Sequence, residues 1–130
     1  QVSCDKYYEN LSKQGLLIVD SDLVKLVPTT RAIELPMNSL AKNEAGHAMV
    51  ANVLALGVLC GVTGIVTPEA LRLTIQKRIP AVHLEKNTKA LELGFRAGAE
   101  ALASSKKKGR FRVSDFGFLR QKPLVAPTPA

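Results

Sequence analysis

The sequence predicts an α/β fold in which helices are layered around a mostly parallel sheet, and three observations carry this expectation. Leu16-Leu17-Ile18-Val19 is apolar at every position, the pattern of a parallel strand covered on both faces. Ala32-Ile33-Glu34-Leu35 has the period-two alternation of a second, more peripheral strand, closed by Pro36. Between and after these runs stand helix signals that become stronger toward the carboxyl end.

The opening segment from Cys4 to Gln14 reads as a helix, with Tyr8 and Leu11 on one face and Gly15 at the place of a left-handed cap. Asp20-Ser21-Asp22 follows the first strand at its carboxyl end, where open α/β sheets bind ligands, although a polar turn or helix cap uses the same residues. After the second strand, Asn38 or Ser39 could cap a short helix reaching about Glu44. Ala48 to Val66 is the most apolar stretch and just reaches the ~18-residue length of a membrane-spanning helix. Gly57 and Gly61 make a G-x-x-x-G pair, which serves membrane dimers and closely packed soluble helices alike.

Asn52 inside that stretch, the break at Gly61-Val62-Thr63-Gly64 and the lack of flanking basic clusters favour a buried soluble helix from about Ala48 to Cys60. Such a helix must be covered all round, which calls for a second chain on one side. Thr67-Pro68-Glu69 is a strong helix start, Leu71, Ile75 and Ile79 share a stripe, and Pro80 ends it. A long helix follows from about Val82 to Ala103, with Leu84, Leu91, Phe95, Gly98 and Leu102 on one seam. Gly94 and Gly98 lower its intrinsic helicity, and close packing is the natural reason for them.

The chain has 130 residues and a net charge of +7, which looks like a nucleic-acid signature until it is divided. Residues 1–104 hold 11 basic and 10 acidic side chains, whereas 105–130 hold seven basic ones and Asp115 alone. The expected organisation is therefore one α/β body, 1–104, and a basic, proline-containing extension, 105–130. The extension carries Phe111, Phe116 and Phe118, then Pro123, Pro127 and Pro129, so a small nucleic-acid-binding protein acting through residues 106–122 is the alternative reading. Cys4 and Cys60 form no metal-binding spacing with His47 and His83, and no secretory signal opens the chain. No phosphate-binding glycine loop, zincin or nucleophile-elbow motif is present, and a cytoplasmic setting is expected. His47, His83 and Cys60 read as structural, and Asn52 and Asn87 as buried amides that need partners within the chain or across an interface.

Three further stretches carry a family resemblance. These are Val50-Ala51-Asn52-Val53-Leu54-Ala55-Leu56-Gly57, then Val62-Thr63-Gly64-Ile65-Val66 with Glu69-Ala70-Leu71, and Asn87-x-Lys89-Ala90-Leu91 with Gly94 and Gly98-Ala99. With Gly15 to Asp22 in front, residues 5–103 resemble the gamma subunit, or gamma domain, of the 2-oxoacid:ferredoxin (acceptor) oxidoreductases.

The resemblance implies a largely architectural subunit of an enzyme that oxidatively decarboxylates a 2-oxoacid to an acyl-CoA. It implies alpha and beta subunits that bind thiamine diphosphate, an iron–sulfur subunit or ferredoxin that takes the electrons, coenzyme A as co-substrate, and no cofactor held by this chain alone. Asp20-Ser21-Asp22-Leu23-Val24 and Arg78-Ile79-Pro80 look more like the 2-oxoglutarate branch than the pyruvate branch. The family's glycine-rich strand–loop–helix opening does not stand before the first residue, Gln1, so the chain resembles the carboxyl-terminal portion of the domain, with the other half a further expected partner. The tail from Ser104 has no counterpart in the resemblance. No residue is expected to be catalytic or to bind a metal; Asp20, Ser21, Asp22, Asn52, Gly57, Gly61 and Asn87 are the candidate interface or ligand-proximal positions.

Overall fold

The computed structural model describes residues 1–108. Helix α1, Val2–Tyr7, continues as a 3-10 turn over Tyr8–Asn10 and ends well before the expected Gln14. The chain turns extended at Leu11 (ψ 125°), and Gly15 does not have positive φ. A Cβ there would lie 2.6 Å from Leu11 Cδ1, the end of a side chain that can turn aside. Gln1 ties α1 to the loop after the first strand: its Oε1 accepts from the amides of Lys25 and Leu26, and its Nε2 donates to the Leu26 carbonyl.

Strand β1, Leu17–Asp20, pairs in parallel with β2, Ala32–Leu35, in the register Leu17↔Ala32 to Asp20↔Leu35. The expected ranking of the strands is reversed. Only Val19 of β1 is buried, whereas Ala32 and Ile33 of β2 are 3% and 2% exposed. The last helix packs on β2, so the strand with alternating sequence receives the better cover. Among the described residues the sheet has these two strands, and the remainder of the α/β architecture is helical.

Helix α2, Met37–Glu44, buries Met37 and Ala41 at a four-residue spacing, with Ala45 one turn further. A 3-10 turn, Ala48–Val50, leads into α3, Ala51–Thr63. α3 passes the expected end at Cys60 because Gly61 keeps helical geometry. Gly64, at φ 62°, supplies the left-handed cap and donates its N–H to the Cys60 carbonyl at 2.9 Å. Helix α4, Pro68–Arg78, starts as expected, with Thr67 Oγ1 accepting from the Ala70 amide at 3.2 Å and Pro68 in the first turn.

Helix α5, Ala81–Lys107, is 27 residues long, about 40 Å at the usual rise. It runs past the expected end near Ala103, since neither glycine nor proline interrupts Ala99 to Lys108, and it buries Ser105. The first residues of the basic segment therefore belong to the long helix. The aromatic patch and the prolines lie outside the described residues.

The core lies where α3 crosses α5, around Leu54, Val58 and Leu91, all 0% exposed. Two G-x-x-x-G pairs set this contact. A Cβ on Gly57 would stand 2.4 Å from the Leu91 carbonyl oxygen and one on Gly61 2.5 Å from that of Phe95. Reciprocally, Gly94 and Gly98 would meet the carbonyls of Leu54 and Val58 at 2.2 and 2.6 Å. No side chain larger than hydrogen fits between these backbones, so four glycines mark one helix crossing.

Candidate functional site

Two regions gather the residues singled out by sequence. The first is the end of β1, where the loop supplies the cap that α2 lacks. The residue before α2 is Pro36, which has no side-chain acceptor. Asp20 takes this role from across the sheet, accepting from the amides of Met37 and Asn38, each at 3.1 Å, and from the Asn38 side chain. Asp22 accepts from the Ser39 amide at 2.7 Å and the Ser39 hydroxyl at 2.9 Å.

Asn38 and Ser39, expected as caps, are thus donors inside the first turn. The two carboxylates face the positive end of the helix dipole. The Ser39 amide holds the Asp22 carboxyl below its ordinary range against partial desolvation, helped by the Ser39 hydroxyl and Lys25. Ser21 extends the ladder by donating its N–H to the Leu35 carbonyl, and its own carbonyl accepts from Lys25 Nζ at 2.7 Å. This cluster clamps β1 to α2.

The second region is a groove of ≈ 380 Å³ between the beginnings of α3 and α5. It brings Asn52 and Asn87 together with both histidines, although sequence linked none of them. His83, Lys86 and Asn87 line one wall because positions three and four apart share a helix face. His47 and Asn52 line the other, and Val50, Val53 and Ile79 contribute its apolar surface.

Asn52 is exposed, contrary to the buried amide expected, and its Oδ1 accepts from the Val53 amide at 2.8 Å. Asn87, half-buried, donates from Nδ2 to the His83 carbonyl at 2.8 Å. His47 Nδ1 accepts from the Met49 amide at 3.1 Å, which assigns the ring proton to Nε2. Among the described residues Lys86 has no ion pair or hydrogen-bond partner for its ammonium. Lys86 was not singled out by sequence; the signal that could have found it is its three-residue spacing from His83.

Gly57 and Gly61 are placed against α5 within the chain, as described above, and not on the outer surface. The outer face of α3 is formed by Leu56 and Leu59, which are 39% and 43% exposed. Among the described residues α3 is therefore covered on only part of its circumference, which leaves open the side for which the sequence calls for a second chain. Met49, which lines the groove, is 80% exposed.

One cross-helix contact had no sequence signal, since its partners stand 20 residues apart. Arg72 of α4 grips Glu92 of α5 through Nε and, at 3.0 Å, Nη2, and its guanidinium lies 5.4 Å from the Phe95 ring centre. The hydrogen bond from Arg72 lowers the Glu92 pKa and raises that of Arg72. Cys60 is buried and donates to the Val66 carbonyl, and burial pushes its thiol upward. Among the described residues no cluster of three His, Cys, Asp or Glu side chains could hold a metal ion, and no helix is long and apolar enough to cross a membrane.

A glycine-paired helix core and a carboxylate-clamped parallel strand pair define an α/β domain. The chain belongs to the pyruvate ferredoxin/flavodoxin oxidoreductase family, whose model matches residues 1–97. It is 31% identical over 104 residues to the 2-oxoglutarate synthase subunit KorC of Methanocaldococcus jannaschii, covering 77% of this chain and 56% of that one. It is 33% identical over 93 residues to KorC of Archaeoglobus fulgidus, covering 72% and 46%. Among solved structures, the gamma subunit of a keto/oxoacid ferredoxin oxidoreductase from Geobacter sulfurreducens PCA superposes with a TM-score of 0.70 at 37% identity, over 75% of this chain and 59% of that one. The chain spans about half the length of the curated relatives it matches.

Proposed function

We propose that this chain serves as a gamma component of a 2-oxoacid:ferredoxin oxidoreductase complex, in which it is architectural. The complex oxidatively decarboxylates its 2-oxoacid to the acyl-CoA and passes the electrons to ferredoxin or a similar acceptor. The observation that carries this reading is the 37%-identical gamma subunit of the same fold, together with relatives named 2-oxoglutarate synthase subunits. Those names favour 2-oxoglutarate as the substrate of the complex and give the sequence-based preference for that branch independent support.

The chain's own residues do not fit the electron-transfer group of such an enzyme. An iron–sulfur cluster takes four thiolates or close substitutes, and the chain has two cysteines, buried in different helices. The clusters are accordingly assigned to partner subunits in the cytoplasm, thiamine diphosphate is assigned to them on the family resemblance, and none of Asp20, Asp22, Asn52 or Asn87 is given a catalytic step. Asp20 and Asp22 serve the domain by fixing α2, while Asn52 and Asn87 are the interface-proximal positions. The nucleic-acid alternative rests on residues 106–122, most of which lie outside the described residues, and the comparisons lend it no support.

The test is the activity of the complex that carries this chain. Viologen reduction that requires both coenzyme A and 2-oxoglutarate, and is slower with pyruvate, supports the proposal. A chain that yields no 2-oxoacid-dependent reduction in any complex it forms overturns it.

A further inference from the structure

The groove between α3 and α5 has a chemical bias that the architectural reading leaves unused. The groups that line it without a partner among the described residues are mostly donors: Lys86 Nζ, His47 Nε2–H and the Asn52 amide nitrogen. No Asp or Glu is among its lining residues. A cationic, donor-rich pocket with apolar walls selects an acceptor that is anionic and set among apolar groups.

The surface around the groove indicates how large the ligand is. Met49, one of its lining residues, stands almost fully in solvent. On α3, Asn52 is followed at helical spacing by Leu56 and Leu59, so an apolar stripe leaves the groove and continues along the exposed face of the helix. A small anion would fill the groove and leave this stripe wet. A polypeptide covers both, and its apolar side chains would exclude water from the charge contact and strengthen it. A second copy meeting this face with its own would set two cationic linings against each other.

We propose that this groove and stripe dock a polypeptide of a partner subunit, which inserts an Asp or Glu side chain toward Lys86 and His47 and lays apolar side chains along Met49, Leu56 and Leu59. The inference rests on the proposed place of the chain in an oxidoreductase complex and names the surface by which it is held there.

The experiment measures binding of this chain to the thiamine-diphosphate-binding subunits of its complex, using wild type, Lys86→Glu, Lys86→Met, Met49→Asp and the control Lys77→Glu on the exposed end of α4. Circular dichroism of each variant checks that the fold is kept, and Lys86, being exposed, can be replaced without loss of core packing. The expected result is a loss of affinity of at least about tenfold for Lys86→Glu and Met49→Asp, a smaller loss and weaker salt dependence for Lys86→Met, and no change for Lys77→Glu. Wild-type affinity in all variants overturns the docking surface while leaving the subunit reading intact. Failure of the wild-type chain to bind these subunits overturns both. Self-association of the chain that Met49→Asp abolishes also overturns the proposal, because a second copy would then be the occupant.

Discussion

Replacing Gly94 by alanine tests the packing of the core most severely, because the change is favourable for an isolated helix. Alanine raises intrinsic helicity by about 1 kcal/mol relative to glycine. In the folded protein its Cβ would lie 2.2 Å from the Leu54 carbonyl oxygen and 2.9 Å from both Gly57 Cα and the Val58 nitrogen. A carbon and a carbonyl oxygen rest at about 3.3–3.6 Å even in a weak hydrogen bond, so the helices must part by roughly 1 Å. All three obstacles are backbone, which cannot rotate away as a side chain would. Parting the helices also loosens Leu54, Val58 and Leu91, and a gap of ~0.5–1 Å forfeits about a quarter to a half of a van der Waals contact.

Overpacking of this kind costs about 1–3 kcal/mol, and a backbone clash belongs at the upper end. After the gain in propensity, the net destabilisation is about 2 kcal/mol, which lowers the Tm by roughly 8 °C for a chain of this size. Thermal and urea denaturation followed by far-UV circular dichroism measure it, on the chain in the form in which it is isolated. Gly57→Ala should behave alike, and the double variant should lose less than the sum, since the first methyl already opens the shared contact. A neutral or stabilised Gly94→Ala protein would refute close backbone packing between α3 and α5.

Gly64→Ala should cost about 1 kcal/mol through its left-handed φ of 62° alone, because no atom lies within 4 Å of the added methyl; denaturation curves give the value. Asp20→Ala removes the cap on two backbone amides of α2 and should lower stability by about 1–2 kcal/mol, with faster amide exchange at Met37, Asn38 and Asp22, from whose N–H groups Asp20 accepts. Asp22 has a depressed pKa, so its contribution is complete above the ordinary aspartate range of about 3.9 and is lost as pH falls through its lowered value. Asp22→Asn should therefore remove part of the acid-side fall in Tm and leave a pH-independent decrement, measured by melting between about pH 2 and pH 6. Arg72→Lys keeps the charge but breaks the two-pronged grip on Glu92, and for a pair this exposed the loss should stay under about 1 kcal/mol.

Local signals explain most of what sequence made legible. The parallel partner Ala32–Leu35 and the start of α4 at Thr67-Pro68 are written in residues a few positions apart, and the structure has both at those places. The glycine spacings announced close helix approach, but one sequence could not say whether the partner lay in the same chain. Only the fold shows Gly57 and Gly61 facing Gly94 and Gly98. Burial was harder to read, since apolar runs report hydrophobicity and not cover. β1 looked central yet is half-buried, and for α3 the sequence called for a second chain without saying which side it would cover, which the exposed Leu56 and Leu59 now mark.

The candidate residues divide on the same principle. Asp20 and Asp22 were visible as polar groups at a strand end, but their work as a cap depends on α2 being brought beside them across 17 residues. Asn52 and Asn87 were singled out by their unusual surroundings, yet the groove that joins them to His47, His83 and Lys86 is tertiary. The α5 extension into Lys106-Lys107 was missed because a run of lysines reads as a tail, while an uninterrupted helix simply continues through it.

The central claim is that this chain works as a component of a 2-oxoacid oxidoreductase complex, and the most direct measurement is affinity purification of the tagged chain from its native cell at moderate salt, with mass identification of what comes with it. The account predicts stoichiometric recovery of thiamine-diphosphate-binding subunits together with an iron–sulfur subunit or ferredoxin. Recovery of the chain alone, or with nucleic acid that high salt removes, would contradict it.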